Sequence, residues 1–306
     1  MSARIHPTAV VDAGAQVGEG AEVGPYAVIG PEAVIGAGTV IRNHVTVMGR
    51  TRIGQQCQVF PGAVLGGPPQ DLKYKGAPAT LEIGDHNVLR EFCTLNHGTE
   101  LGGGRTVVGS HNLIMAYVHI AHDCHVHDHV VLANAVQLAG HVHVYDGARV
   151  SGMAGVHQFV RLGRCCYVAG LAKLSIDVPP FTLAEGQPAR IRTLNLEGLR
   201  RRGLSGPDLD ALKKAFRLLF RSPGAHREEA YRKIEENGLA KFPLVVEFVK
   251  FVQETDRGVS GRGLEAHRAE VPPEQRDGSL SFRVAQCGAA DPEGLAQETE
   301  QEEENG

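Results

Sequence analysis

Histidine is the side chain whose proton comes and goes near neutral pH, and this chain concentrates it in one place. Seven histidines fall within HIAHDCHVHDHVVLANAVQLAGHVH at 119–143, and another opens HQF at 157–159. His122, Gly140 and Gln158 follow one another at one fixed interval, and Asp123, His141 and Phe159 follow at the same interval. A chain whose structure repeats with that interval would set them in two adjacent columns. A neutral His122 can then act as a general base, with Asp123 orienting it. Gly140 lets a backbone N–H approach a carbonyl that becomes an oxyanion. No Ser or Cys nucleophile is arranged with them, so the set suits direct acyl transfer from a thioester to a hydroxyl. Taken singly, His125, His127, His129 and His143 read as solvated turn histidines. Gly140 alone would be turn chemistry and Lys73 an ordinary loop cation. The shared column with Gly140 and Gln158 is what sets His122 apart.

The repeat that this alignment needs is present. From Ile5 an aliphatic residue recurs at every sixth position through Val11, Val17, Val23, Ile29, Ile35 and on to Leu65. The phase returns at Ile83, Leu89 and Leu95 and slips through LGGGRTV. It then runs unbroken from Val108 to Leu174, ahead of Pro179-Pro180. The fifth place of each hexad is small or β-branched. A period of six is neither helical nor a simple strand alternation. It fits a short strand plus a tight turn, with three hexads closing a triangular coil of about 18 residues, the interval that separates His122 from Gly140. His122 and Asp123 then occupy the third and fourth places of their hexad, at a turn and facing outward.

Composition agrees with a core of small units. The 306 residues include 38 glycines, only 5% aromatic residues and no Trp. A net charge of −4 gives no reason to expect nucleic acid. No apolar run is long enough to span a bilayer, and the start MSARIHPTAVVDAGAQ lacks the apolar segment of a signal peptide. A cytoplasmic protein with reduced thiols is expected. Four of its six cysteines, Cys57, Cys93, Cys124 and Cys166, fall in the fifth place of the hexad, as small buried hydrophobes.

The expected fold is mainly β: a left-handed parallel β-helix over 1–180, with a loop insertion at 66–82 that suits a substrate lid. Only the handedness rests on the resemblance given next; spacing alone does not supply it. Helical spacing over 207–220, 226–237 and 243–256 predicts a small C-terminal helical domain, 181–257. The segment 258–306, ending QETEQEEENG, reads as a disordered acidic tail. Arg200-Arg201-Arg202, with Asn195 and Glu197 just before, is either a solvated helix face or a diphosphate grip.

With these residues assembled, the chain resembles the acyl-carrier-protein–UDP-N-acetylglucosamine O-acyltransferases of lipid A biosynthesis. The motifs are QDLKY at 70–74, HIAHDC at 119–124, AGH at 139–141, GVHQF at 155–159, DVPPF at 177–181 and LNLEGLRRRG at 194–203. They occur in order across residues 5–256. The resemblance implies a homotrimer with sites between subunits, in a Gram-negative-type bacterium. Its substrates would be UDP-N-acetylglucosamine and a hydroxyacyl chain on the phosphopantetheine of acyl carrier protein. It implies His122 as general base toward the sugar 3-hydroxyl, Asp123 as its support and Gly140 as the oxyanion donor. Asp71, Lys73, His119, His141, His157 and Gln158 would contact or order substrate. Asn195, Glu197, Arg201 and Arg202 would hold the nucleotide, and Gly170 would limit acyl length. It implies no metal and no resident cofactor. The chain departs from the family at His97, where Arg is usual.

Two other readings stay open on the residues. A related hexapeptide acyltransferase would take a 3-amino UDP-sugar or a sugar amine as acceptor. A zinc lyase of the carbonic anhydrase type would use His86, His122 and His127 as ligands.

Overall fold

The computed structural model describes residues 2–221 and 227–267. Every hexad folds as a short strand and a turn, and three of them complete each coil. The strands stack into three sheets of eleven, nine and eight strands, parallel except for the last strand of the first. The first face begins with Arg4–Ile5, the second with Val10–Val11 and the third with Gln16–Val17. We call the corner from the first to the second face corner I, from the second to the third corner II, and from the third back to the first corner III.

The inward residue of each strand is the aliphatic one. Ile29, Ile35, Ile41, Leu89, Ile114, Leu132 and Leu138 are at most 1% exposed and form one continuous core. Burying each such side chain contributes about 1.5–3 kcal/mol. Cys57, Cys93, Cys124 and Cys166 lie beside them, fully buried, and burial pushes the Cys93 and Cys124 thiols up to about 12. The fourth place of most turns takes a left-handed backbone, as at Asp123 (φ 59°), His141 (φ 62°) and Phe159 (φ 64°).

Strand pairing follows the three-hexad count where the repeat is unbroken, as in His119 on Gln137 and Gln137 on Gly155. The interval lengthens where Gln58 pairs Val88, and again where Val88 pairs Leu113. Both extra lengths are loops that leave at corner II. The first runs between the strands Val64–Gly67 and Thr80–Ile83, so the expected insertion 66–82 is shorter at both ends. The second runs between Thr94–Asn96 and Arg105–Val108, around a turn at Glu100–Gly102. Where the sequence shows only a slipped phase, the structure has a second excursion stacked on the first.

The helical domain begins later than residue 181. Thr182–Gly186 and Ala189–Leu194 form an antiparallel hairpin that continues the first face. Helices α1 (Leu196–Arg201), α2 (Pro207–Phe220), α3 (Arg227–Glu236) and α4 (Pro243–Asp256) follow. Pro207 and Pro243 stand at first-turn positions, where a missing N–H costs nothing. Leu212, Phe216, Ile234, Phe248 and Val252 form a second core over Phe181. The described part of the expected tail is also ordered: Gly261–His267 turns back onto the last coil. Residues 268–306, including Cys287, lie outside the described residues.

One buried ion pair joins helices to coil. Arg161 donates from Nε to Asp177 (3.1 Å), from Nη1 to Glu254 (2.8 Å) and from Nη2 to Thr255 (2.8 Å). Its guanidinium also lies 4.0 Å over the Phe251 ring. Arg161 and Asp177 are 4% and 1% exposed, so removing one strands the other's charge. Arg161→Ala is expected to lower unfolding free energy by about 3–5 kcal/mol, measured by denaturant titration.

Candidate active site at corner II

Corner II collects the chemistry. Asp123 is 3% exposed, and its carboxylate is fully engaged. Oδ1 accepts the Thr99 N–H (2.8 Å), and Oδ2 accepts the Thr99 hydroxyl (2.6 Å) and His122 Nδ1–H (2.8 Å). Its own N–H donates to Thr106 Oγ1 at 2.8 Å. Burial alone would raise its pKa. The hydrogen bonds from His122 and Thr99 outweigh burial and hold the carboxyl below the usual range. An ionised carboxylate only accepts, so it fixes the proton of neutral His122 on Nδ1 and leaves Nε2 as the basic atom. Nε2 lies 3.9 Å from Asp71 Oδ2, beyond hydrogen-bond range.

The two predicted columns form. A Cβ built on Gly140 would lie 2.5 Å from His122 Cε1, so the imidazole occupies the space a side chain would take. His141 stacks on Phe159 (4.4 Å between centroids, 7° between planes) and meets the His122 ring edge-on at 5.2 Å. His119 stands on the second face, its Nδ1 2.8 Å from Thr94 Oγ1, and burial lowers its pKa. A groove of about 400 Å³ runs over that face, with His119, Gln137, Gly155 and Lys173 in one column and His157 and Ser175 toward corner II. Lys73 donates its N–H to Asp71 Oδ1 at 3.0 Å within the first loop.

Other predicted residues lie elsewhere. Asn195 caps α1 and donates from Nδ2 to the Cys165 carbonyl (3.0 Å). Arg202 reaches the Gly147 carbonyl (3.4 Å), and Arg201 pairs with Glu197 (2.9 Å). These four sit at corner III, on the far side of the third face from His122. Gly170 sits at corner I.

The zinc set does not converge. His86 stacks on His111 and His127 on Tyr145, both at corner III, while His122 is at corner II. Among the described residues, His122, Asp123 and His141 are the only set of three His, Cys, Asp or Glu side chains whose ligand atoms all lie within 4.8 Å of one another. There His122 Nδ1 and Asp123 Oδ2 already bind each other, so a cation would have to displace that bond.

Sequence reasoning misses Thr99, Thr106 and Gly102. A Cβ on Gly102 would run into the Asp123 carboxyl group, so glycine lets the second loop close over the acid. The HGT triplet at 97–99 and the slipped repeat are the available signals. His97 is 8% exposed and packs edge-on against Tyr74 at 5.3 Å.

Repeating coils, three faces and a histidine–carboxylate pair at one corner define a hexapeptide-repeat transferase. The profile of bacterial transferase hexapeptides matches residues 14–49 and 105–140. That of UDP-N-acetylglucosamine O-acyltransferase, domain 2, matches 177–260. The acyl-[acyl-carrier-protein]–UDP-N-acetylglucosamine O-acyltransferase of Synechocystis is 49% identical over 264 residues, covering 86% of this chain and 94% of its own. The Helicobacter pylori protein of the same name is 42% identical, covering 74% and 83%. Among solved structures, the enzyme from Acinetobacter baumannii superposes with a TM-score of 0.77 at 42% identity, covering 80% of this chain and 95% of its own. The Francisella novicida UDP-N-acetylglucosamine acyltransferase gives 0.78 at 38% identity, covering 81% and 91%. This chain belongs to the acyl-[acyl-carrier-protein]–UDP-N-acetylglucosamine O-acyltransferase family, and its solenoid is that family's left-handed parallel β-helix.

No helix among the described residues is long and apolar enough to cross a membrane. The outward histidines of the third face give a pH signature. His125 and His143 stack at 4.8 Å, and burial depresses both, His143 to about 4. At these two residues the unfolded chain therefore binds more protons than the folded one between pH 6.5 and about 4, and their contribution to stability falls as pH falls through that window. Melting temperature should drop across it, and less steeply in His143→Asn.

Proposed function

We propose that this chain transfers a 3-hydroxyacyl group from acyl carrier protein to the 3-hydroxyl of UDP-N-acetylglucosamine, the first step of lipid A biosynthesis. The observation that carries this is the buried Asp123–His122 bond, which leaves Nε2 open beside Gly140. His122 Nε2 takes the sugar hydroxyl proton as the oxygen attacks the thioester carbon. The Gly140 N–H stabilises the oxyanion. As the intermediate collapses, the new C–O bond stays and the C–S bond breaks. The imidazolium returns its proton to the departing pantetheine thiolate. The charge on Asp123 holds the imidazolium that forms between these steps. These groups supply base, acid and oxyanion donor, so the reaction needs no metal or resident cofactor; the donor's phosphopantetheine is substrate.

Asp71 and Lys73 on the first loop, with His119, His141, His157 and Gln158, are assigned to order the two substrates at corner II. Asn195, Glu197, Arg201 and Arg202 are assigned to the nucleotide. One chain holds them at a different corner, which a homotrimer would repair by setting one protomer's corner III beside its neighbour's corner II. An exposed apolar column at corner I supports such an assembly: Tyr26, Phe92, Tyr117, Met153 and Leu171 are each more than half exposed. A cytoplasmic location accompanies this reading. The test is an assay with UDP-N-acetylglucosamine and hydroxyacyl carrier proteins of several lengths.

His122→Ala should lower kcat by about 10²–10⁴-fold with the fold intact, because a general base is lost. A variant keeping half of wild-type turnover would remove His122 from the chemistry. Gly170 is the proposed limit on acyl length. Its Cβ would meet only ordinary contacts, Gly152 O at 3.4 Å and Ser151 Cβ at 3.9 Å, so a larger side chain can be placed there. Gly170→Met should shift preference toward shorter donors, each lost CH₂ contact counting about 0.8 kcal/mol. Competition between long and short hydroxyacyl carrier proteins reads this directly; an unmoved preference would leave Gly170 as a turn residue only.

A further inference from the structure

The family profile ends at residue 260, and the chain does not stop packing there. Gly261–His267 folds onto the end of corner II, above the coil that carries Gln158. Its seat is specific. The Arg262 N–H donates to Asp177 Oδ1 (3.1 Å), the same acid that Arg161 holds. A Cβ on Gly261 would collide with that carboxylate, so the close approach requires glycine, which also takes its φ of 64° without strain. The Arg262 guanidinium donates to the Ser175 carbonyl (3.3 Å) and to the Gln158 carbonyl (3.4 Å). It also pairs with Glu265. Glu265 Oε1 in turn accepts from Gln158 Nε2 at 2.5 Å.

The chemistry of that last contact is one-sided. A carboxylate only accepts, so it binds the NH₂ end of the Gln158 amide and not its oxygen. Glu265 therefore selects one of the two flipped states of the amide. Arg262 prevents the carboxylate from turning away. Burial opposes the charge on Glu265, but the bonds from Gln158 and Arg262 and the nearby His157 keep its carboxyl below the usual range.

We propose that Glu265, steadied by Arg262, is a positioning residue of this chain's active site. It fixes the Gln158 side chain so that Oε1 is the atom left to meet a hydrogen-bond donor of a substrate. This rests on the acyltransferase reading and on the substrate role of Gln158. The segment 258–265 is then part of the site and not a solvated tail.

A double-mutant cycle on the full chain tests it. Wild type, Glu265→Ala, Gln158→Ala and the double variant are assayed with UDP-N-acetylglucosamine and a hydroxyacyl carrier protein. Melting temperature is recorded for each. Glu265→Ala should lower kcat/KM by about 10-fold, the scale of one hydrogen bond, with melting unchanged. The double variant should lose no more than Gln158→Ala alone, and the loss should appear in the KM of one substrate and not the other. Full additivity, an unaffected Glu265→Ala enzyme, or a loss matched by a fall in melting temperature would each overturn the role. A wild-type chain without transfer activity would overturn the acyltransferase reading, and this role with it.

Discussion

One constraint organises the molecule: an aliphatic side chain must point inward at every sixth residue, three to a coil. Parallel strands about 4.8 Å apart then lock each coil onto the next in register. A slip of one residue would turn Ile114 or Leu132 out to water, so the register is held by burial. Once it is held, the outward residues have no freedom either. His122, Gly140 and Gln158 become neighbours because the core between them is full.

The same constraint decides where the chain can depart from itself. Added residues cannot enter a strand without breaking its inward alternation, but they can leave at a turn. Both departures do so at corner II, on the two coils directly before the one holding His122. The second loop supplies Thr99 to Asp123 and closes over it through Gly102. A buried carboxylate costs several kcal/mol unless it is hydrogen-bonded. The three bonds it accepts from Thr99 and His122 offset that cost, and one of them also sets the His122 tautomer. Support of the acid and the tautomer of the histidine are thus one arrangement.

This explains what can be read from sequence and what cannot. The period of six sets out the coils, the inward core, the buried cysteines and both columns, because each depends only on counting within unbroken repeats. Between Thr99 and Asp123 an inserted loop defeats the count: their strands pair at a lengthened interval, as in Thr94 on His119. The hairpin at Thr182–Gly186 and Ala189–Leu194 lies past the last matching hexad, so nothing periodic marks it as sheet. The segment after 257 reads as a tail because of its acidic end. That composition holds for QETEQEEENG but not for Gly261–Glu265, whose seat depends on one glycine and one arginine and leaves no periodic trace.

Glycine is where the fold and the chemistry meet most closely. At Gly140 neither a positive φ nor a bulge requires it. What excludes a side chain is the His122 ring, which would stand 2.5 Å from any Cβ. An alanine there would have to move the imidazole off its column, stretching the 2.8 Å bond to Asp123 that aims Nε2. The missing side chain also uncovers the backbone N–H assigned to the oxyanion. One absent methyl group therefore serves the proposed base and the proposed oxyanion donor together, and the stacking of one coil on the next is what sets the two side by side.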